Sequence, residues 1–118
     1  MTKAEALRLS DYLAHILEAI ARIDEYTADM TEAVFLENRL VQDAVIRNFE
    51  VIGEASRNID KHFPEFREKH AEVPWTSAYE MRNALSHGYF KVDLEIVWQT
   101  IHNNLPEFSS QVLLLKIE

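Results

Sequence analysis

A chain of 118 residues with 47% hydrophobic side chains is long enough for one domain, spanning 1–118, with a modest core, and too apolar for disorder. Two Gly and three Pro leave little room for tight hairpins, and the lack of Cys excludes disulfides and thiolate metal sites, which suits a reducing cytoplasm. The net charge of -8 argues against indiscriminate binding to nucleic acid, and no apolar run approaches the ~18 residues of a membrane span.

The acidity is uneven. Residues 1–38 carry eight acids against three bases, residues 39–70 six of each, and residues 71–118 six against three. This leaves room for a local basic pocket around Arg39, Arg47, Arg57, Lys61 and Arg82 in an otherwise solvated acidic surface. The start, Met-Thr-Lys-Ala-Glu-Ala, has no signal-peptide apolar region.

Residues 4–28 predict the first helix. Leu9, Leu13, Ile16, Leu17, Ile20 and Ile23 recur at spacings of three and four, the pattern of one buried stripe. His15 adjoins that stripe as a structural or half-exposed residue. Thr31 is an N-cap for a short helix, Glu32 to Leu36.

The second long helix covers 39–61. Val45, Phe49, Ile52, Ser56 and Ile59 form one stripe, with Ala44, Val51 and Ala55 beside it. So wide an apolar arc implies burial against two neighbours, one of them a candidate second subunit. Gly53 inside this helix costs about 1 kcal/mol relative to Ala; it either permits close helix approach or is a tolerated defect.

Pro64 opens a short helix to Lys69, flanked by His62 and His70. Their spacing of eight across a Pro is no metal motif, so both read as surface residues. Pro74 opens the third main helix, which carries Trp75, Ala78, Met81, Ala84 and Leu85 and is expected to end at Gly88. Asp93 caps the last helix, with Leu94, Val97, Trp98, Ile101 and Leu105 as its stripe and His102 near the expected groove. Pro106 splits or kinks it, and a tail continues through Val112 to Ile117. Four main helices with short connections predict an all-α antiparallel bundle.

The chemistry concentrates in Met81-Arg82-Asn83-Ala84-Leu85-Ser86-His87-Gly88-Tyr89-Phe90, with the spacing R-x4-H-x-Y. Arg82 offers a permanently charged fork that fits a phosphate. His87 can carry a proton near neutral pH. Tyr89 offers a phenol that can donate a hydrogen bond or receive a group, and Asn83 and Ser86 can orient the phosphate or the imidazole. On an unbroken helix Arg82 and His87 stand about 140° apart, so a joint site needs the helix to end at Gly88 and re-aim His87. A metal-free RNase needs an acid, a base and a cation, and the RNA 2′-OH supplies the nucleophile. One copy supplies a single His here; a twofold dimer brings two His and two Arg to one groove. Against this stands the ordinary reading, an Arg paired with an acid and a capping His, since chance gives the pattern in roughly 0.5–1% of chains this size.

Arg82 to Tyr89 resembles the R-x4-6-H-x-Y signature of HEPN domains, and the chain resembles the HepT-like (DUF86) toxins over nearly its whole length. The resemblance includes residues 39–48, Ile52-Gly53-Glu54-Ala55, Val73-Pro74-Trp75 and Asp93-Leu94-Glu95-Ile96-Val97-Trp98. It implies a helical-bundle homodimer, or a higher oligomer, with the signature at a cleft between subunits. It implies a toxin that cleaves RNA without metal or cofactor. By position, Arg82 and His87 match the catalytic pair and Asn83 the polar residue after the Arg. Tyr89 matches the tyrosine that a cognate MntA-like nucleotidyltransferase antitoxin modifies with AMP. The rival expectation is a non-catalytic module that binds a nucleotide or a nucleotidyltransferase, with Arg82 as a phosphate clamp.

Overall fold

The computed structural model describes the backbone of residues 1–87 and 92–117, and the side-chain surroundings of residues 1–81 and 92–116. Among them are seven helices and no strand. The expected all-α class holds.

α1, Lys3–Thr27, starts at a capping box. The Thr2 N–H donates to Glu5 Oε2 at 3.3 Å and the Glu5 N–H to Thr2 Oγ1 at 3.1 Å. Its predicted stripe is the buried face; only Leu17 is half-buried, and Ala19 joins instead. α2, Glu32–Glu37, is capped by Thr31 as expected, and sinks Phe35 against Trp98 with ring centroids 5.3 Å apart.

Asn38 caps α3, Arg39–His62, by accepting from the Val41 N–H at 3.1 Å. α3 is the central helix. Tyr12 near the start of α1 meets Phe63 at the end of α3, and further along Ala19 and Arg22 share a groove with Asn48, so the two helices run antiparallel. On its other flank α3 carries Arg57 beside Tyr79 and Phe49 near Met81, so it runs antiparallel to α5 as well. The two neighbours that the wide apolar arc called for are therefore α1 and α5 of the same chain. That arc no longer argues for a second subunit. Gly53 lies buried within it.

α4, Pro64–Lys69, has its Pro in the first turn. The corner that follows corrects one expectation. His62 is exposed as predicted, but His70 is buried. Phe66 packs over its ring at 4.6 Å, its Nδ1 lies 3.7 Å from Glu72, and its carbonyl accepts from Trp75 Nε1 at 3.1 Å. His70 thus closes the corner from which α5 departs. A periodicity argument misses this because the residue sits in a turn, where burial is set by its neighbours.

α5, Trp75–His87, begins one residue after Pro74, whose carbonyl accepts from the Ala78 N–H. Asp93 caps α6, Leu94–Asn103, by accepting from the N–H groups of Glu95 and Ile96 at 3.1 and 3.2 Å. Pro106 does split the last helix, but the expected tail is itself a helix, α7, Leu105–Ile117. α7 packs along α1, burying Val112 and Leu115, and Lys116 Nζ donates to Ser10 Oγ at 2.9 Å.

Candidate active site

α5 positions the signature, and its first turns are held firmly. Trp75 is 1% exposed and meets the Phe108 ring edge-on at 6.3 Å. Arg67 donates to Thr76 Oγ1 at 3.0 Å while pairing with Asp60 at 2.9 Å, which ties α4 and the end of α3 to the first turn of α5. One turn on, the Arg57 guanidinium stands 5.5 Å from the Tyr79 ring centre, a cation–π contact that clamps α3 to α5.

Positions 82, 83, 86 and 87 all fall within α5. The side chains of Arg82, Asn83, Ser86 and His87 lie outside the described residues, as do Gly88 and Tyr89 in full. With α5 helical through His87, positions 82 and 87 stand about 140° apart around its axis.

The other predicted cations do not converge. Arg39 and Lys61 occupy opposite ends of α3, some 33 Å apart at ~1.5 Å per residue. Arg47 is 3.9 Å from Glu50, and Arg57 is engaged with Tyr79. Of the basic pocket expected around Arg39, Arg47, Arg57, Lys61 and Arg82, the four residues of α3 do not gather at one point, because they are spread along 23 positions of a single helix; the Arg82 side chain lies outside the described residues. His15 is exposed in a groove of about 230 Å³ between α1 and α3, opposite Arg47 and Asn58. His102 is exposed on α6; its ring lies 4.3 Å from that of Trp98 and its Nδ1 2.9 Å from the Trp98 carbonyl. Among the described residues no three His, Asp or Glu side chains converge as a metal site.

One feature was not foreseen. A slot of about 410 Å³ opens between α3, the first half of α5 and the α6–α7 corner. Its floor is apolar, with Phe49, Ile52 and Phe108 buried and Met81 half-buried. Its rim is polar, with Ser77, Thr100, Asn104, Glu107 and Gln111. Met81, immediately before Arg82, forms part of its wall. The lining comes from four separate stretches of chain, so no single periodic pattern joins them.

The chain matches the family described as Ribonuclease HepT-like over residues 16–115. It belongs to the HepT-like family. Among its relatives, a Thermococcus cleftensis protein named as a probable ribonuclease HepT is 41% identical over 101 residues, covering 86% of this chain and 89% of that protein. A Methanocaldococcus jannaschii protein, named as a gamma-glutamylcyclotransferase and putative RNase, is 45% identical over 102 residues. The match covers 86% of this chain but only 45% of that longer protein. In fold, the chain resembles a tri-AMPylated HEPN toxin of Shewanella oneidensis solved in complex with MNT antitoxin. The TM-score is 0.74 at 21% identity, with each chain covered in full. The HepT-like membership expected from the residues around the signature holds, and the helical bundle shares its fold with the Shewanella protein.

Proposed function

We propose that this HepT-like protein is the toxin of a toxin–antitoxin pair and cuts RNA without a metal. The observation that carries the reading is the complete Arg82-x4-His87-x-Tyr89 signature, set in a chain that matches the HepT-like family over 100 of its 118 residues. In this reading Arg82 holds the scissile phosphate and offsets the charge that builds on its oxygens as the 2′-OH attacks. His87 takes the 2′-OH proton, and His87 of a second copy returns a proton to the leaving 5′-oxygen. Both transfers need an imidazole within hydrogen-bond reach of the moving proton, and a twofold cleft supplies two. Asn83 and Ser86 orient the phosphate or the imidazole.

Silencing follows from the same site. A nucleotidyltransferase antitoxin of the MntA kind transfers AMP from ATP to the Tyr89 phenolic oxygen, and pyrophosphate leaves. The new phosphodiester competes with RNA for Arg82, and the nucleoside blocks the groove. The Shewanella toxin of like fold is tri-AMPylated and bound to MNT antitoxin, which supports this pairing.

The experiment is intact-mass measurement after co-expression with such an antitoxin, paired with RNA cleavage in EDTA. The expected mass gain is a multiple of one AMP unit, absent in Tyr89→Phe, and the modified protein loses cleavage that the unmodified protein shows. The -8 net charge favours the second reading, a non-catalytic binding module. That reading predicts no cleavage of any RNA by the unmodified protein.

A further inference from the structure

We propose that the slot between α5 and the α6–α7 corner is a nucleobase subsite that accepts one base of a single-stranded RNA and prefers bases bearing an exocyclic amino group over uracil. The ribonuclease reading supplies the RNA; the slot's own chemistry supplies the preference.

Size and lining come first. At about 410 Å³ the slot falls in the ~300–1,000 Å³ range of small-molecule sites. Its apolar floor is built on the buried Phe49, Ile52 and Phe108, with the half-buried Ala78 and Met81 beside them, an apolar surface against which the flat face of a base can lie. Its rim carries neutral amides that can meet a base edge. Gln111 spends one N–H on the Glu72 carbonyl at 3.3 Å and keeps its own oxygen, and Asn104 makes no side-chain bond among the described residues.

Charge then separates base from phosphate. Among the described residues no Lys or Arg lines the slot, whereas Glu72 and Glu107 do. Glu72 has His70 3.7 Å away; Glu107 has no ion-pair partner among the described residues. A carboxylate at the rim repels a phosphate and accepts from an amino group. Carboxylates read cytosine N4 in this way, and adenine N6 and guanine N2 are equivalent donors. Uracil offers two carbonyl oxygens around a single N–H and is repelled at the same point.

Position completes the case. Met81 forms part of the slot wall and Arg82 is the next residue on α5. On α5 position 82 stands about 1.5 Å along the axis and about 100° round it from Met81, so the slot wall and the proposed phosphate clamp belong to one turn of helix.

The test is titration of the full-length protein with cytidine, adenosine, guanosine and uridine, which cannot be cleaved, followed by the amide NMR signals of Thr100, Asn104 and Gln111. Amino-bearing nucleosides should shift these signals and bind about tenfold more tightly than uridine, the discrimination one good base contact supplies. Glu107→Gln should weaken that preference and Glu107→Leu should weaken it further. Ala78→Phe should fill the slot and abolish the shifts, and Ser77→Trp at the exposed mouth does the same if Ala78→Phe disturbs folding. Unmoved amides, or uridine binding as tightly as cytidine, would overturn the proposal. Binding of adenosine alone would also overturn it, by pointing to the AMP of a modified chain as the occupant. Shifts as expected in a protein that cuts no RNA would support the subsite and sink the nuclease reading alone.

Discussion

Arg82 and His87 are asked to do different things, so their substitutions should separate. Arg82→Lys keeps the charge but loses the planar fork, and cleavage should fall about 10-fold or more, since a point charge holds a phosphate in one place rather than two. Arg82→Ala should fall further still. Tyr89→Phe removes the AMP acceptor without touching the proposed proton carriers. It should keep cleavage within about threefold of the parent while escaping the antitoxin, because it alters neither the fork nor the imidazole. Cleavage rates and intact masses of the three variants check this together. The spacing of these groups was readable along the chain because the proposed site is packed into eight consecutive residues. The His70 corner was not readable in the same way: its burial depends on Phe66 and Trp75, which touch it only after α4 and α5 have turned.

At the scale of the helices, α5 is anchored at its root. Trp75→Ala removes a fully buried indole that bridges His70 and Phe108. It should cost about 3–5 kcal/mol, read as a lower urea midpoint. Asp93→Ala deletes the side-chain acceptor for two N–H groups of α6 and should cost about 1 kcal/mol. The starts of the helices were largely legible, because Thr31, Pro64 and Asp93 each mark a terminus by local chemistry, and Pro106 marks the break between α6 and α7. α7 itself was less legible. Its apolar residues, Phe108, Val112, Leu113, Leu114 and Leu115, include exposed members, so no single stripe stands out. The slot was illegible for a related reason: four segments contribute to it, and only tertiary packing sets them side by side.

At the scale of the whole molecule, the bundle satisfies α3 from within, with α1 on one flank and α5 on the other. The proposal of a shared cleft therefore rests on catalysis, which needs two proton carriers, and on HepT-like membership rather than on an uncovered helix face. A mixture of parent and His87→Ala chains tests it. If the two copies share one groove that needs both imidazoles, subunit exchange should pull cleavage below the parent fraction, toward the square of that fraction. Cleavage that falls only in proportion to the parent fraction would instead favour self-contained sites. The most direct measurement of the central claim is the rate of RNA cleavage in EDTA by the parent chain and by His87→Ala, with circular dichroism confirming the same helix content in both. The account predicts cleavage by the parent and a loss of at least about 100-fold in the variant, the scale of a lost general acid–base. Equal cleavage by the two proteins would contradict it.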